Sequence, residues 1–221
     1  MGSRKNGRFF CGISLDSVKR RDTIKRDAYD DVRKERNESM TIRPAKVSDA
    51  AALLKIYAYY VEQTAVTFEY DVPTEAEFAH RIAAISEKYP YLVLEDGDEI
   101  MGYAYAGVFK DRAAYDWAVE TTVYVRRDAH GKGYGRALQT ALEKELQARH
   151  FLNAYACIAW TDPEDEYLTQ ASPRFHERLG YRLCGTFRQC GYKFGRWYDM
   201  IWMEKHLGEH LVQPLPVHWK D

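Results

Sequence analysis

A chain of 221 residues with 46% apolar content can bury one substantial core, and its length fits one domain or one domain with an appendage. The formal net charge of -1 gives no global attraction to nucleic acid or to an anionic membrane, so any anion site must be built locally. No apolar run approaches the roughly 20 residues of a bilayer-spanning helix, and the N-terminus lacks the apolar centre of a signal peptide, which predicts a soluble cytoplasmic protein. Cys11, Cys157, Cys184 and Cys190 show neither C-x-x-C spacing nor the density of a disulfide scaffold, in keeping with a reducing compartment, and no metal is expected.

Residues 1–39 are rich in Lys and Arg, poor in aliphatics and carry no apolar stripe, so they read as a charged extension, helical or disordered. The globular pattern begins at once after Met40, which an upstream extension or a misassigned start would also explain, and the domain is expected over 40–221. TIRPA is a short strand; Ser48 is placed to cap a helix whose Ala52, Leu53, Ile56, Tyr57 and Tyr60 recur at three and four. Thr74 to Glu77 has the form of a capping box, and Phe78, Ile82, Ala83 and Ile85 follow at helical spacing. YLVLED and EIMGYAYAG flank a turn at Asp96-Gly97 and make a hairpin. The loop KDRAAYD leads into a strand through Val119, Thr121, Val123 and Val125. Over 135–150, Leu138, Ala141, Leu142 and Leu146 keep one helical face apolar, and NAYACIAW is a buried-type strand. RFHERLGY is a short helix stopped by Gly180, and YRLCGTFRQC and RWYDMIWMEK are two more strands. The order β-α-α-β-β-β-α-β-α-β-β predicts a mixed α/β fold with a sheet of six or seven strands flanked by helices.

The stretch HGKGYG, at 130–135, has glycine at every second position between a strand and a helix. A phosphate loop would need a hydroxyl residue after Lys132, where Gly133 stands, and a dinucleotide fingerprint would need glycine at 136, where Arg136 stands. What remains is a bare run of amides leading into a helix whose first turn has unsatisfied N–H donors and a positive dipole end. Such a terminus favours an anion by up to about 2 kcal/mol. A glycine-rich turn with no ligand explains the six residues equally well when they are taken alone.

The wider segment VYVRRDAHGKGYGRAL resembles the acyl-CoA-binding motif of the GCN5-related N-acetyltransferases (GNAT), [QR]-x-x-G-x-[GA]. AAYDWAVETTVYV (113–125), GYKFGRWYDM (191–200), TAVTFEYDVPT (64–74) and RFHERLGY (174–181) are similar to segments of its phosphinothricin acetyltransferase and L-amino acid N-acyltransferase branch, in consistent order over about 41–205. The resemblance implies the GNAT fold, with a V-shaped opening between two central strands, acetyl-CoA as co-substrate, a small amino-acid-like amine as acceptor, and a homodimer. It implies that the pantetheine arm pairs with Val123, Tyr124 and Val125 and that the diphosphate rests on His130, Gly131, Lys132, Gly133, Tyr134, Gly135 and Arg136. Two departures stand out: His130 replaces the usual Arg or Gln, and the loop TDPEDEYLTQAS is long, with Thr169 where relatives often have a cofactor-touching Asn.

Acetylating an amine requires its neutral lone pair, and an amine of pKa about 8 or higher arrives mostly protonated. The resemblance puts Glu120 at the position of the general base and His176 where many members carry a proton-donating Tyr; a surface carboxylate and a carbonyl-bonded helix histidine are the plain structural alternatives. By the same resemblance Phe68, Tyr115, Tyr192, Lys193 and Trp197 surround the acceptor, Lys193 meeting its carboxylate or phosphinate. Two other functions fit the same residues: a non-catalytic acyl-CoA sensor, and an acetyltransferase for protein or peptide amines.

Overall fold

The computed structural model describes residues 39–219, so the expectation of a charged extension over 1–39 falls, apart from Ser39, outside the described residues, as does Cys11. In chain order the described elements are β1 (Met40–Pro44), α1 (Ala50–Gln63), α2 (Glu75–Ser86), β2 (Tyr91–Asp96), β3 (Glu99–Val108), β4 (Ala118–Val125), α3 (Tyr134–Ala148), β5 (Asn153–Trp160), α4 (Ala171–Arg178), β6 (Arg182–Lys193) and β7 (Arg196–His206). The strands form one seven-stranded sheet in the order β1-β2-β3-β4-β5-β7-β6, matching the expected succession.

Period-two alternation along β3 explains how the sheet carries helices on both faces. Tyr103 joins the core cluster of Leu53, Ile56 and Tyr57 from α1 with Phe78 and Ile82 from α2, and Tyr105 packs against it. The intervening Gly102, Ala104 and Ala106 are small, and a side chain at Gly102 would stand 3.1 Å from Leu138 of α3. Small residues therefore let α3 approach one face while tyrosines fill the other. Leu138, Leu142 and Leu146 are fully buried there, each contributing about 1.5–3 kcal/mol.

Several local expectations need correction. Ser48 does not cap α1: it lies in a 3-10 turn (Val47–Asp49), and Asp49 accepts from the Lys46 N–H at 2.8 Å while pairing with Arg43 at 2.7 Å. Charge-assisted bonds to a buried carboxylate outweigh a neutral hydroxyl cap. Ala52 is exposed, and Ala50 and Val61 complete the buried stripe instead. Thr74 accepts from the Glu77 N–H at 3.2 Å as expected, but the Glu77 carboxylate turns to Arg81 at 2.6 Å. The β2–β3 turn is centred on Gly97-Asp98, with Asp96 paired to Glu99 and Gly97 at φ +62°. Gly180, at φ +90°, ends α4 as expected, with the N–H of Tyr181 donating to the His176 carbonyl.

Candidate active site

Strands β4 and β5 run parallel and pair only at Ala118–Asn153, Val119–Ala154 and Glu120–Tyr155. Beyond Glu120 they part. The free edge of β4 then borders a cavity of about 610 Å³, closed by α1, the turn before α3, the loop after β5 and α4. Val123, Tyr124, Val125, His130, Gly131, Gly133, Tyr134, Gly135, Arg136 and Thr169 all line it, so ten residues expected around one ligand are brought together. The eleventh, Lys132, is exposed and outside the lining.

Each glycine of the turn has its own physical reason. Gly131 and Gly133 adopt φ +75° and +91°, a region that disfavours side chains, although open space surrounds both. Gly135 instead yields to packing, since an added Cβ would stand 3.3 Å from the Phe175 ring. Glycine is thus required here by the backbone path and by close approach of α4. Tyr134, buried in the first turn of α3, donates its hydroxyl to Asp96 and so ties the helix start to the end of β2. The result is a preformed concave run of amides at a helix N-terminus.

The rim is ordered by polar contacts within the long loop. Asp165 accepts from the N–H groups of Tyr167 and Leu168, both at 2.8 Å, and pairs with Arg196 at 2.9 Å. Tyr167 stacks on Phe194 at 4.2 Å, joining the loop to the turn between β6 and β7. Thr169 lines the cavity and accepts from the Ala171 N–H at 3.4 Å, at the start of α4. Arg127 also lines the cavity, with its guanidinium 5.0 Å from the Tyr59 ring, and brings a positive charge to it.

Glu120 is the last residue of β4 to pair with β5; it is half-buried and outside the cavity lining, three residues and about 10 Å of strand before Val123. Burial pushes its carboxyl above the usual range, and Lys110 opposes the shift. Its charge is felt by Tyr105 and by Cys157 on the neighbouring strands, whose thiol burial pushes up to about 12. Cys157, Cys184 and Cys190 are free thiols, and burial raises those of Cys157 and Cys184, away from the nucleophilic thiolate.

His176 is not among the lining residues. It is 4% exposed, with Nδ1 2.9 Å from the Ser172 carbonyl and its ring edge-on to Phe175 and Tyr181; burial holds it below the ordinary histidine range. These contacts are those of the plain structural alternative, a helix histidine bonded to a carbonyl. The expectation for Lys193 is corrected. It is 2% exposed, and its ammonium donates to the carbonyls of Val61, Thr64 and Thr67 at 2.7, 2.9 and 2.8 Å. All three hydrogens are engaged, leaving none for a ligand.

The remaining acceptor candidates divide. Phe68 packs against Tyr198 at 6.3 Å and sits over Gly191, where any side chain would collide with its ring. Tyr115 is partly exposed and edge-on to Phe109 at 5.9 Å. Tyr192 and Trp197 contact each other at 5.1 Å on exposed surface, away from the lining. Lys110 escaped sequence reasoning because a loop lysine carries no pattern; only the fold brings it near Glu120. Tyr60 was read as core, and it is core, yet its hydroxyl reaches the cavity.

The family model for the acetyltransferase (GNAT) domain matches residues 42–202. A phosphinothricin N-acetyltransferase of Streptomyces viridochromogenes is 39% identical over 176 residues, covering 80% of this chain and 92% of the relative. An L-methionine sulfoximine/L-methionine sulfone acetyltransferase of Salmonella typhimurium is 34% identical, covering 77% and 96%. Among solved structures, a GNAT superfamily phosphinothricin acetyltransferase from Sinorhizobium meliloti in complex with AcCoA superposes with a TM-score of 0.73 at 34% identity, covering 80% and 94%. A sheet that splays at its parallel pair over a glycine-built helix start, matched along most of the chain, places this protein in the GNAT family as an N-acetyltransferase of its phosphinothricin acetyltransferase-like branch.

Proposed function

We propose that the protein transfers acetyl from acetyl-CoA to the α-amine of a small amino-acid-like acceptor of the phosphinothricin or methionine sulfoximine type, with Glu120 as general base. The carrying observation is the splay of β4 from β5: half-buried Glu120 ends their pairing, and beyond it the free edge of β4 and the glycine turn line one cavity. The edge suits an amide-bearing arm, and the turn suits the diphosphate through the amides of Gly131 to Arg136. Thr169 and Arg136 stand at the rim.

In this reading the amine lone pair attacks the thioester carbonyl, the C–N bond forms and the C–S bond breaks. The amine proton passes to Glu120, directly or through one water, and the thiolate leaves to take its proton from solvent. No covalent enzyme intermediate is needed, in keeping with the unactivated thiols. A raised carboxyl is a stronger base, so the shift favours the role. We assign to Lys110, whose charge acts on Glu120, the part first given to Lys193, that of meeting an acceptor carboxylate.

Glu120→Gln is expected to lower kcat by about 10²–10⁴-fold while leaving the acetyl-CoA KM within twofold. The parent's rate should rise with pH through a limb above the ordinary glutamate range, because the base works only once deprotonated, and that limb should vanish in the variant. Thiol release measured across phosphinothricin, methionine sulfoximine, methionine sulfone, free amino acids and a peptide N-terminus checks the whole reading. Coenzyme binding without release for any amine would leave a sensor; release with the peptide alone would leave a protein acetyltransferase. The need for acetyl-CoA argues for an intracellular site of action. We infer further that two copies pair, from the apolar side chains Leu183, Phe187, Tyr192 and Trp197 exposed on the edge hairpin of β6 and β7.

A further inference from the structure

The register of β4 against β3 is unbroken from Val119–Val108 to Val125–Gly102. The Arg126 N–H donates to the Met101 carbonyl at 2.8 Å, which makes Val125–Gly102 a non-hydrogen-bonded pair. Alternation then turns the N–H and C=O of Tyr124 toward β3 and those of Val123 and Val125 toward the free edge. A Cβ built on Gly102 would stand 2.7 Å from the Tyr124 carbonyl oxygen, which agrees with that direction. Of the three residues expected to pair with a ligand arm, only two therefore offer main-chain groups to the cavity.

One of those groups is already taken. Tyr60, reaching over from α1, donates its hydroxyl to the Val125 carbonyl. His130 Nε2 lies 3.1 Å from the same carbonyl and 2.8 Å from the Tyr60 hydroxyl. Burial raises the Tyr60 hydroxyl to about 12, so at neutral pH it remains a donor. Its single hydrogen is engaged at Val125, so the N–H of His130 Nε2 is the donor left, and it is shared between the Tyr60 oxygen and the Val125 carbonyl, whose two lone pairs are then both met. Tyr60, Val125 and His130 all line the cavity.

We propose that Tyr60 and His130 are positioning residues that set the register of the coenzyme arm by occupying the Val125 carbonyl. With that acceptor closed, the edge offers the N–H and C=O of Val123 and the N–H of Val125, and an arm that pairs like a strand has one way to sit. With it open, the arm can slip by two residues, roughly 7 Å along the edge, and carry the thioester away from Glu120. The inference rests on the reading that this cavity receives acetyl-CoA.

The test compares parent, Tyr60→Phe, His130→Ala, His130→Gln and the double variant Tyr60→Phe/His130→Ala in steady-state kinetics and in calorimetric titration with coenzyme A. Tyr60→Phe should raise the acetyl-CoA KM about tenfold and lower kcat, with the acceptor KM within twofold. His130→Gln, whose amide still donates, should recover most of what His130→Ala loses, and the double variant should lose less than the product of the singles. Acetyl-CoA KM and kcat both within twofold of the parent in Tyr60→Phe would overturn the proposal, as would an acceptor KM that moves as far as the coenzyme's. Should Tyr60→Phe fail to fold by circular dichroism, His130→Ala decides on the same criteria. A parent that binds no coenzyme A would refute the underlying reading instead, before any variant is made.

Discussion

Lys193 carries a charge that the sequence offers to a ligand and the fold gives to its own backbone. Its ammonium closes the end of α1 by bonding carbonyls of Val61 and Thr64, and it holds Thr67 in the loop beyond. Burial lowers its proton affinity, yet three well-aimed carbonyls keep it satisfied. Lys193→Ala would strand those carbonyls and is expected to cost about 2–4 kcal/mol, a fall in Tm of roughly 5–15 °C by calorimetry. A variant with unchanged Tm and a much weakened acceptor would restore the ligand-binding role. His176 teaches the same point: a titratable residue in a family-like segment is used to close a helix turn. Motif position gathered β4 and the glycine turn around one cavity, but it could not show that the Lys193 ammonium faces carbonyls more than a hundred residues earlier in the chain.

At the start of α3 the element itself shapes the site, since Gly131, Gly133 and Gly135 line the cavity and have only main-chain atoms to present to it. Gly133 at φ +91° is the N-terminal boundary of the helix, with nothing near its absent Cβ. Gly133→Ala should therefore cost only conformational strain, about 1–2 kcal/mol, and should appear as a 5- to 30-fold rise in the acetyl-CoA KM if the loop relaxes away from its shape. Gly97→Ala imposes comparable strain at φ +62° in the β2–β3 turn and serves as control, losing stability without change in that KM. Element identity and order were legible throughout, because periods of 2 and 3.6 are written in local apolar spacing. Boundaries were less so: the turn after β2 shifts by one residue, and α1 begins after a 3-10 turn that Asp49 and Arg43 organise from opposite sides of the strand end.

Across the molecule, the C-terminal segment after β7 returns over the end of the sheet. The Trp117 indole donates to the Leu215 carbonyl at 2.8 Å, the His218 N–H donates to Arg149 at 3.0 Å, and Trp219 packs edge-on to Tyr89 and Phe151 beneath Lys88. This covers the start of β4, three residues before Glu120. At the β6 edge of the sheet no other described strand pairs with β6, and its exposed apolar groups are the surface on which the proposed pairing rests. Sedimentation equilibrium should give about twice 25.8 kDa, and Leu183→Asp with Phe187→Asp should shift the mass to one chain; a monomeric parent would remove the inference.

Read alone, the amino-acid order settled the α/β class, the succession of strands and helices, and a bare-backbone turn that needs glycine, because each of these depends on neighbours a few positions apart. Which carbonyl Tyr60 meets, why Lys193 is unavailable, how Lys110 comes to face Glu120 and where β4 leaves β5 were decided in three dimensions. Those are pairings between groups separated by ten residues up to more than a hundred, and only the packed sheet brings them within hydrogen-bonding or Coulombic reach.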